Sequence, residues 1–76
     1  MLKITDKSWF DPNTDSHCFR AIWDGEPITV RVAIDTLEDG IGKAEIAGLA
    51  ERKILEAVEA GTPVPPDVLI TTKDRG

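Results

Sequence analysis

The chain has 76 residues, with 14 acidic and 9 basic side chains and a formal net charge of −5. This length predicts one domain, spanning residues 1–76, with a thin core. The acidic balance disfavours nucleic acid as a partner, because the phosphate backbone is negative too. Cys18 is the single cysteine, and no apolar run is long enough for a signal peptide or a membrane span. We therefore expect a cytoplasmic protein without an internal disulfide and without a membrane anchor.

The first predicted elements are a short edge strand at residues 2–4 and a turn from Trp9 to Asp15. Asp, Asn and Pro in the second segment favour a turn, and Pro12 suits the second position of a type I turn. The chain therefore reverses direction before the next apolar segment.

A calcium site at this turn is a weaker interpretation. Asp11-x-Asn13-x-Asp15 matches the opening of a calcium loop, but such a loop needs glycine at its sixth position and a bidentate carboxylate at its twelfth. Ser16 and Ile22 stand there instead. Hydrogen bonds from the Asp and Asn side chains to the backbone of the turn are the better expectation.

The strongest local signal is Asp24-Gly25, which lies between two alternating apolar segments and predicts a β-hairpin over residues 17–34. A two-residue turn places both apolar sets on one face of the sheet, as a one-sided core requires. This register pairs Trp23 with Glu26, Ala21 with Ile28, and Phe19 with Val30.

Two helices are predicted after the hairpin. Asp35 is the expected N-cap of a short helix, with Glu38 as its capping-box partner, and two glycines then interrupt the pattern. The main helix is predicted at about residues 43–60 and ends at Gly61. Its apolar residues recur every three or four positions and form one stripe: Ile46, Ala47, Ala50, Ile54, Ala57 and Val58.

A proline-rich connection then leads to a β-branched segment at residues 68–72, which predicts a final strand. Together these elements predict an α+β fold. Its small antiparallel sheet contains the hairpin at residues 17–34 and one or two further strands. The helix at about residues 43–60 packs over the hairpin face that carries Phe19, Val30 and Val32.

The candidate catalytic groups fail on geometry. His17 and Cys18 are neighbours on a predicted strand, so their side chains point to opposite faces and neither can activate the other. Glu56 and Glu59 are typical of a solvated helix face. The segment Gly40-Ile41-Gly42-Lys43 lacks the remaining residues of a phosphate-binding loop. We therefore expect no catalytic, cofactor-binding or metal-binding residues and no enzymatic activity.

One surface retains a functional interpretation. Arg20 and Arg31 occupy diagonal positions on the face of the hairpin that is turned away from the core. Two interpretations stay open: solvated arginines paired with nearby carboxylates, or a face that docks an acidic or self-complementary partner. The candidate docking residues are Arg20, Arg31, Cys18, Ile22 and Thr29, and the expected aromatic companions are Trp9, Phe10 and Trp23.

Residues in five segments, in this order and spacing, resemble the DUF1488 family of small bacterial proteins of unknown function over nearly the whole chain. The segment between Asp39 and Ala44 is shorter here than in many relatives. The resemblance implies an α+β fold and a bacterial protein, and it carries over no activity and no catalytic residues. The matching segments are Trp9-Phe10-Asp11, Phe19-x-Ala21 with Gly25, Ile34-x-x-x-Leu37-Glu38-Asp39, the helix residues Ile46, Ala50, Arg52 and Lys53, and Val68-Leu69-Ile70-Thr71-Thr72-x-Asp74.

These observations favour a non-enzymatic cytoplasmic interaction or accessory module without a cofactor. Its partner is either another protein or a second copy of the chain in a homodimer. The alternative is a nucleic-acid or regulatory accessory binder that acts through the basic face around Arg20 and Arg31.

Overall fold

The computed structural model describes residues 1–75 and has the small α+β fold that the sequence predicts. The described part of the chain forms one four-stranded sheet, one short and one long α-helix, and a final 3₁₀ turn. In chain order these are β1 (Leu2–Asp11), β2 (Ser16–Trp23), β3 (Glu26–Ala33), α1 (Ile34–Glu38), α2 (Lys43–Glu59), β4 (Asp67–Ile70) and the turn Thr72–Arg75.

The central hairpin has the register that its hydrophobic pattern predicts. β2 and β3 are antiparallel, with Trp23 opposite Glu26 and Phe19 opposite Val30. Asp24 and Gly25 have φ values of 49° and 83°. Two positive φ values are typical of a type I′ turn, whose twist matches that of the flanking strands. The local turn chemistry therefore fixes which side chains share a face.

The sheet is mixed rather than antiparallel throughout. Its order is β1-β2-β3-β4, with antiparallel pairing from β1 to β3 and parallel pairing between β3 and β4. The chain reaches β4 only after crossing the sheet as α2, and such a crossover returns the next strand in the parallel direction. The predicted final strand is also shorter, because it ends at Ile70.

The first strand is longer than predicted and reaches Asp11, so the turn is confined to the residues that follow it. The predicted Asx hydrogen bond is present there: the backbone N–H of Asn13 donates to Oδ1 of Asp11 at 3.0 Å. Asp15 has a φ of 50° and completes the reversal into β2.

The core lies between α2 and one face of the sheet. Ile46, Ala50 and Ile54 are the buried residues of α2. They join one cluster with residues from all four strands, including Phe19, Ala21, Ile28, Val30, Val32 and Ile70. This confirms the predicted packing of the helix over the hairpin. Val58 departs from the predicted stripe because it is 45% exposed near the helix end.

The helix ends differ in how well the sequence predicts them. Asp35 is not an N-cap: α1 begins at Ile34, Ala33 precedes it, and no side chain caps the helix. The Asp35 carboxylate accepts a hydrogen bond from the backbone N–H of Thr36 instead, at 2.8 Å. By contrast, Gly61 follows α2 with a φ of 84°, as expected for a glycine that ends a helix.

Candidate functional site

The candidate site is the sheet face turned away from α2, here called the open face. Among residues 1–75, no helix contributes to it, because both the core residues of α2 and the α1 residue Leu37 pack on the other side. The strand registers place the following residues on the open face: Lys3, Trp9, Asp11, Ser16, Cys18, Arg20, Ile22, Pro27, Thr29, Arg31, Ala33, Asp67 and Leu69.

One row of this face crosses all four strands. Trp9 lies opposite Cys18, Cys18 opposite Arg31, and Arg31 opposite Leu69. Trp9 is 39% exposed and Leu69 is 48% exposed, whereas Cys18 between them is fully buried. Three strand spacings separate the two apolar side chains, a distance of about 14 Å. The row therefore presents two apolar ends on either side of a polar centre.

Arg31 forms the polar centre and is paired with two neighbouring carboxylates. Its Nη1 lies 2.7 Å from Oδ2 of Asp11, and its Nε lies 2.7 Å from Oδ2 of Asp67. Nη1 also donates to Sγ of Cys18 at 3.2 Å. The hydrogen bond to Asp67 raises the pKa of Arg31, even though partial desolvation opposes the shift. Arg31 is thus an internal counter-ion that covers the Cys18 thiol.

Asp11 is held in its charged form by several groups. The backbone N–H of Asn13 lowers its pKa most, and hydrogen bonds from Thr14 and Arg31 lower it further, against a smaller opposing effect of burial. The carboxylate that opened the calcium-loop pattern is therefore engaged by protein donors.

Arg20 differs from Arg31 because no carboxylate holds it. Its guanidinium carbon lies 5.4 Å from the ring centroid of Trp9, and its Nη1 donates to Oγ1 of Thr29 at 3.3 Å. Within residues 1–75, no Asp or Glu oxygen lies within 4.0 Å of its guanidinium. No carboxylate of the described residues therefore pairs with Arg20 on the open face, and its position is restricted from two sides.

A bulge in β1 produces this arrangement. Three residues of β1, 5–7, stand opposite the single residue Arg20, which is two more than in a regular pair. The Thr5 hydroxyl donates to the carbonyl oxygen of Arg20 at 2.9 Å and fixes the bulge. The two extra residues place Trp9 opposite Cys18, diagonal to Arg20; regular pairing from Ile4 would place it opposite Ser16.

The five predicted docking residues lie together on this face, and Arg20 and Arg31 are diagonal neighbours as predicted. The expected pairing of arginines with carboxylates holds for Arg31 but not for Arg20. The aromatic prediction is right only for Trp9. Phe10 pairs with His17 on the core side, and Trp23 packs against the core, because each lies one residue out of phase with the open face.

The sequence does not indicate that Asp67 and Leu69 belong to this site. They join the site only because β4 pairs with β3 in a parallel register, with Leu69 opposite Arg31. Alternation within Val68-Leu69-Ile70 marks Leu69 as facing away from its buried neighbours. Nothing local indicates which strand it lies beside.

The other candidate groups are dispersed. His17 lies on the core side beside Phe19, with ring centroids 5.0 Å apart, whereas Cys18 faces Arg31. Glu56 and Glu59 are both exposed. Residues 1–75 contain no group of three metal-ligating side chains and no pocket. No helix in the same range is both long enough and apolar enough to cross a membrane.

Comparison with known proteins returns no matching family model, no matching curated protein and no matching solved structure. The resemblance to the DUF1488 family thus stays a prediction from the sequence. The fold and the open face carry the functional argument.

Proposed function

We propose that this chain is a non-enzymatic, cytoplasmic protein-interaction module of the DUF1488 type, and that a partner protein docks on its open face. One observation carries the proposal: Trp9 and Leu69 are exposed at the two ends of a row whose central arginine, Arg31, is already paired with two carboxylates. Exposed tryptophan and arginine side chains are the residue types most enriched at the energetic centres of protein interfaces.

The sheet edges favour docking on the face over addition of a strand. The bulge at residues 5–7 interrupts the outer edge of β1; it contains Lys7, and Lys3 lies just before it. β4 is only four residues long and follows Pro65-Pro66. Short strands, bulges, lysines and prolines all discourage edge-to-edge pairing. A partner would therefore meet side chains rather than backbone.

The alternative nucleic-acid role receives less support. Arg31 is one of its two proposed arginines, and Asp11 and Asp67 already occupy that guanidinium. A chain with a net charge of −5 also repels a phosphate backbone. A second copy of the chain is the remaining candidate partner, and the experiment below distinguishes it by mass.

The test is site-specific photocrosslinking in native extract. A photoreactive residue replaces Leu69 on the open face or, as a control, Leu55 on α2, which is 43% exposed. We expect a discrete adduct from position 69 that Trp9→Ala abolishes, and none from position 55. An adduct of twice the chain mass would identify a second copy as the partner. Equal adducts from both positions, or no adduct at position 69, would overturn the proposal.

A further inference from the structure

We infer that Arg20, held between Trp9 and Thr29, binds a carboxylate in an acidic segment of the partner protein. This inference rests on the proposed function and adds the chemistry of the ligand. It follows from three features of the open face: the N–H donors of Arg20 that have no protein partner among the described residues, the restriction of its side chain, and the distribution of charge around it.

The guanidinium of Arg20 keeps N–H groups that have no hydrogen-bond acceptor within residues 1–75. A guanidinium carries five N–H groups, and the only protein hydrogen bond from that of Arg20 within residues 1–75 goes to Thr29. Arg31, by contrast, bonds two carboxylates, a hydroxyl and a thiol. A planar guanidinium with free N–H groups matches the two oxygens of a carboxylate in a bidentate pair. Of the two arginines, Arg20 is therefore the one whose charge is not already balanced by carboxylates of the chain and is left for an external anion.

The Arg20 side chain is already restricted before a ligand arrives. The Trp9 ring lies on one side of the guanidinium and the Thr29 hydroxyl holds one nitrogen. Fixing a free arginine on binding costs side-chain entropy, and an arginine that is already held loses less. The bulge contributes indirectly, because it brings Trp9 within reach of Arg20.

The cations available to an external carboxylate lie on the β1–β2 side of the open face. Lys3 lies opposite Ile22 and carries the next cation beyond Arg20. The carboxylate of Asp67 lies two strands from Arg20 in the same row and is bonded to Arg31. A carboxylate bound at Arg20 thus has Lys3 as a second cation. An apolar neighbour in the same segment can contact Ile22 or Trp9.

A protein segment fits this site better than a nucleic acid does. Nucleic-acid affinity comes from neutralising several phosphates in a line, and the open face offers Arg20 and Lys3 within an acidic chain. One or two carboxylates beside an apolar group match what the face presents.

The test uses a displayed library of random peptides selected against the full chain, followed by dissociation constants for synthetic copies of the selected peptides. We expect the peptides to contain Asp or Glu beside an apolar residue. Arg20→Gln should weaken their binding about tenfold or more, the usual cost of a charge-assisted hydrogen bond. Lys3→Gln should weaken it less. Lys43→Gln, an exposed site at the start of α2, should leave it unchanged.

The remaining outcomes separate the two proposals. Peptides without acidic residues that bind Arg20→Gln normally but lose binding to Leu69→Ser would overturn this inference and leave the interaction role standing. No selected peptide, or binding that no open-face variant affects, would overturn both. Two further results would overturn the inference about the carboxylate. One is Arg20-dependent binding of a single-stranded oligothymidylate, and the other is an Arg20-dependent dimer of the chain without peptide binding. Circular dichroism of each variant confirms that it is folded.

Discussion

The guanidinium of Arg20 lies over the ring of Trp9, with 5.4 Å between the guanidinium carbon and the ring centroid. The two residues are on different strands, and no carboxylate of residues 1–75 within 4.0 Å competes for the arginine. The contact joins Trp9, the aromatic residue that the strand registers place on the open face, to the arginine there that no carboxylate pairs with. Its strength can be measured without knowing any partner.

A double-mutant cycle on Trp9→Ala and Arg20→Gln measures this contact. We expect a coupling free energy of about 0.5–1 kcal/mol, the range for cation–π pairs at exposed sites. The measurement is the free energy of unfolding in denaturant for the parent, both single variants and the double variant. A control cycle that pairs Trp9→Ala with Lys43→Gln should give no coupling. Equal couplings in the two cycles would show that the stacking contributes nothing.

Gly25 has a positive φ and Gly48 lies in a helix, so substitution by alanine is expected to change stability in opposite directions at the two positions. Gly25 has a φ of 83° in the hairpin turn, so Gly25→Ala should destabilise the fold by about 1 kcal/mol. Gly48 lies exposed within α2, and an added Cβ there meets no atom within 4 Å. Gly48→Ala should therefore stabilise the fold by about 0.5–1 kcal/mol. Thermal unfolding decides both signs, and a loss of stability in Gly48→Ala would contradict the helix assignment.

The fall in the free energy of unfolding at low pH is expected to depend on Asp74. Burial alone would raise its pKa, but the backbone N–H of Thr71 and the ammonium of Lys53 outweigh burial and hold the pKa below 3.8. Because the folded state then binds protons less readily than the unfolded state, this contribution is present above about pH 4 and is lost as the pH falls below it.

Asp74→Asn tests that dependence. The variant should lose about 1 kcal/mol near neutral pH, a small value because Lys53 is partly exposed. It should also show a shallower decline in the free energy of unfolding below pH 4. An unchanged acid slope would assign the effect to other carboxylates, such as Asp11, whose pKa is also lowered.

The cover over Cys18 predicts a change in thiol reactivity. Cys18 is fully buried on the open face, and Arg31 contacts its sulfur at 3.2 Å. Arg31→Ala should make the thiol react severalfold faster with a disulfide reagent under native conditions. Arg31→Lys, which keeps a charged chain of similar length, should give an intermediate rate. If all three proteins label at the same rate, labelling requires global unfolding rather than removal of this cover.

The sequence predicts the hairpin well because its signals are local. Asp24-Gly25 specifies the turn, and alternation along β2 and β3 specifies the face on which Arg20 and Arg31 meet. The sequence predicts that Trp9 accompanies this face, but not that it lies opposite Cys18, because that pairing depends on the bulge at residues 5–7, where the chain carries no alternating signal.

Leu69 and Asp67 could not be placed for a different reason. Their neighbours are decided by how α2 returns the chain to the sheet, which is a long-range property. Asp35 shows the limit of local rules as well. Its residue type suits a helix cap, but α1 begins at Ile34, directly after the hairpin strand ends, so Asp35 lies inside the first turn of the helix.

The bulge in β1 has a consequence for how this strand can change length over evolution. Because its two extra residues are an even number, they shift Trp9 along the sheet without turning it over. Insertion or loss of a single residue between Ile4 and Ser8 would exchange the sides occupied by Trp9 and Phe10. Length changes in this segment among homologous chains should therefore occur in pairs, which a set of aligned relatives can show directly.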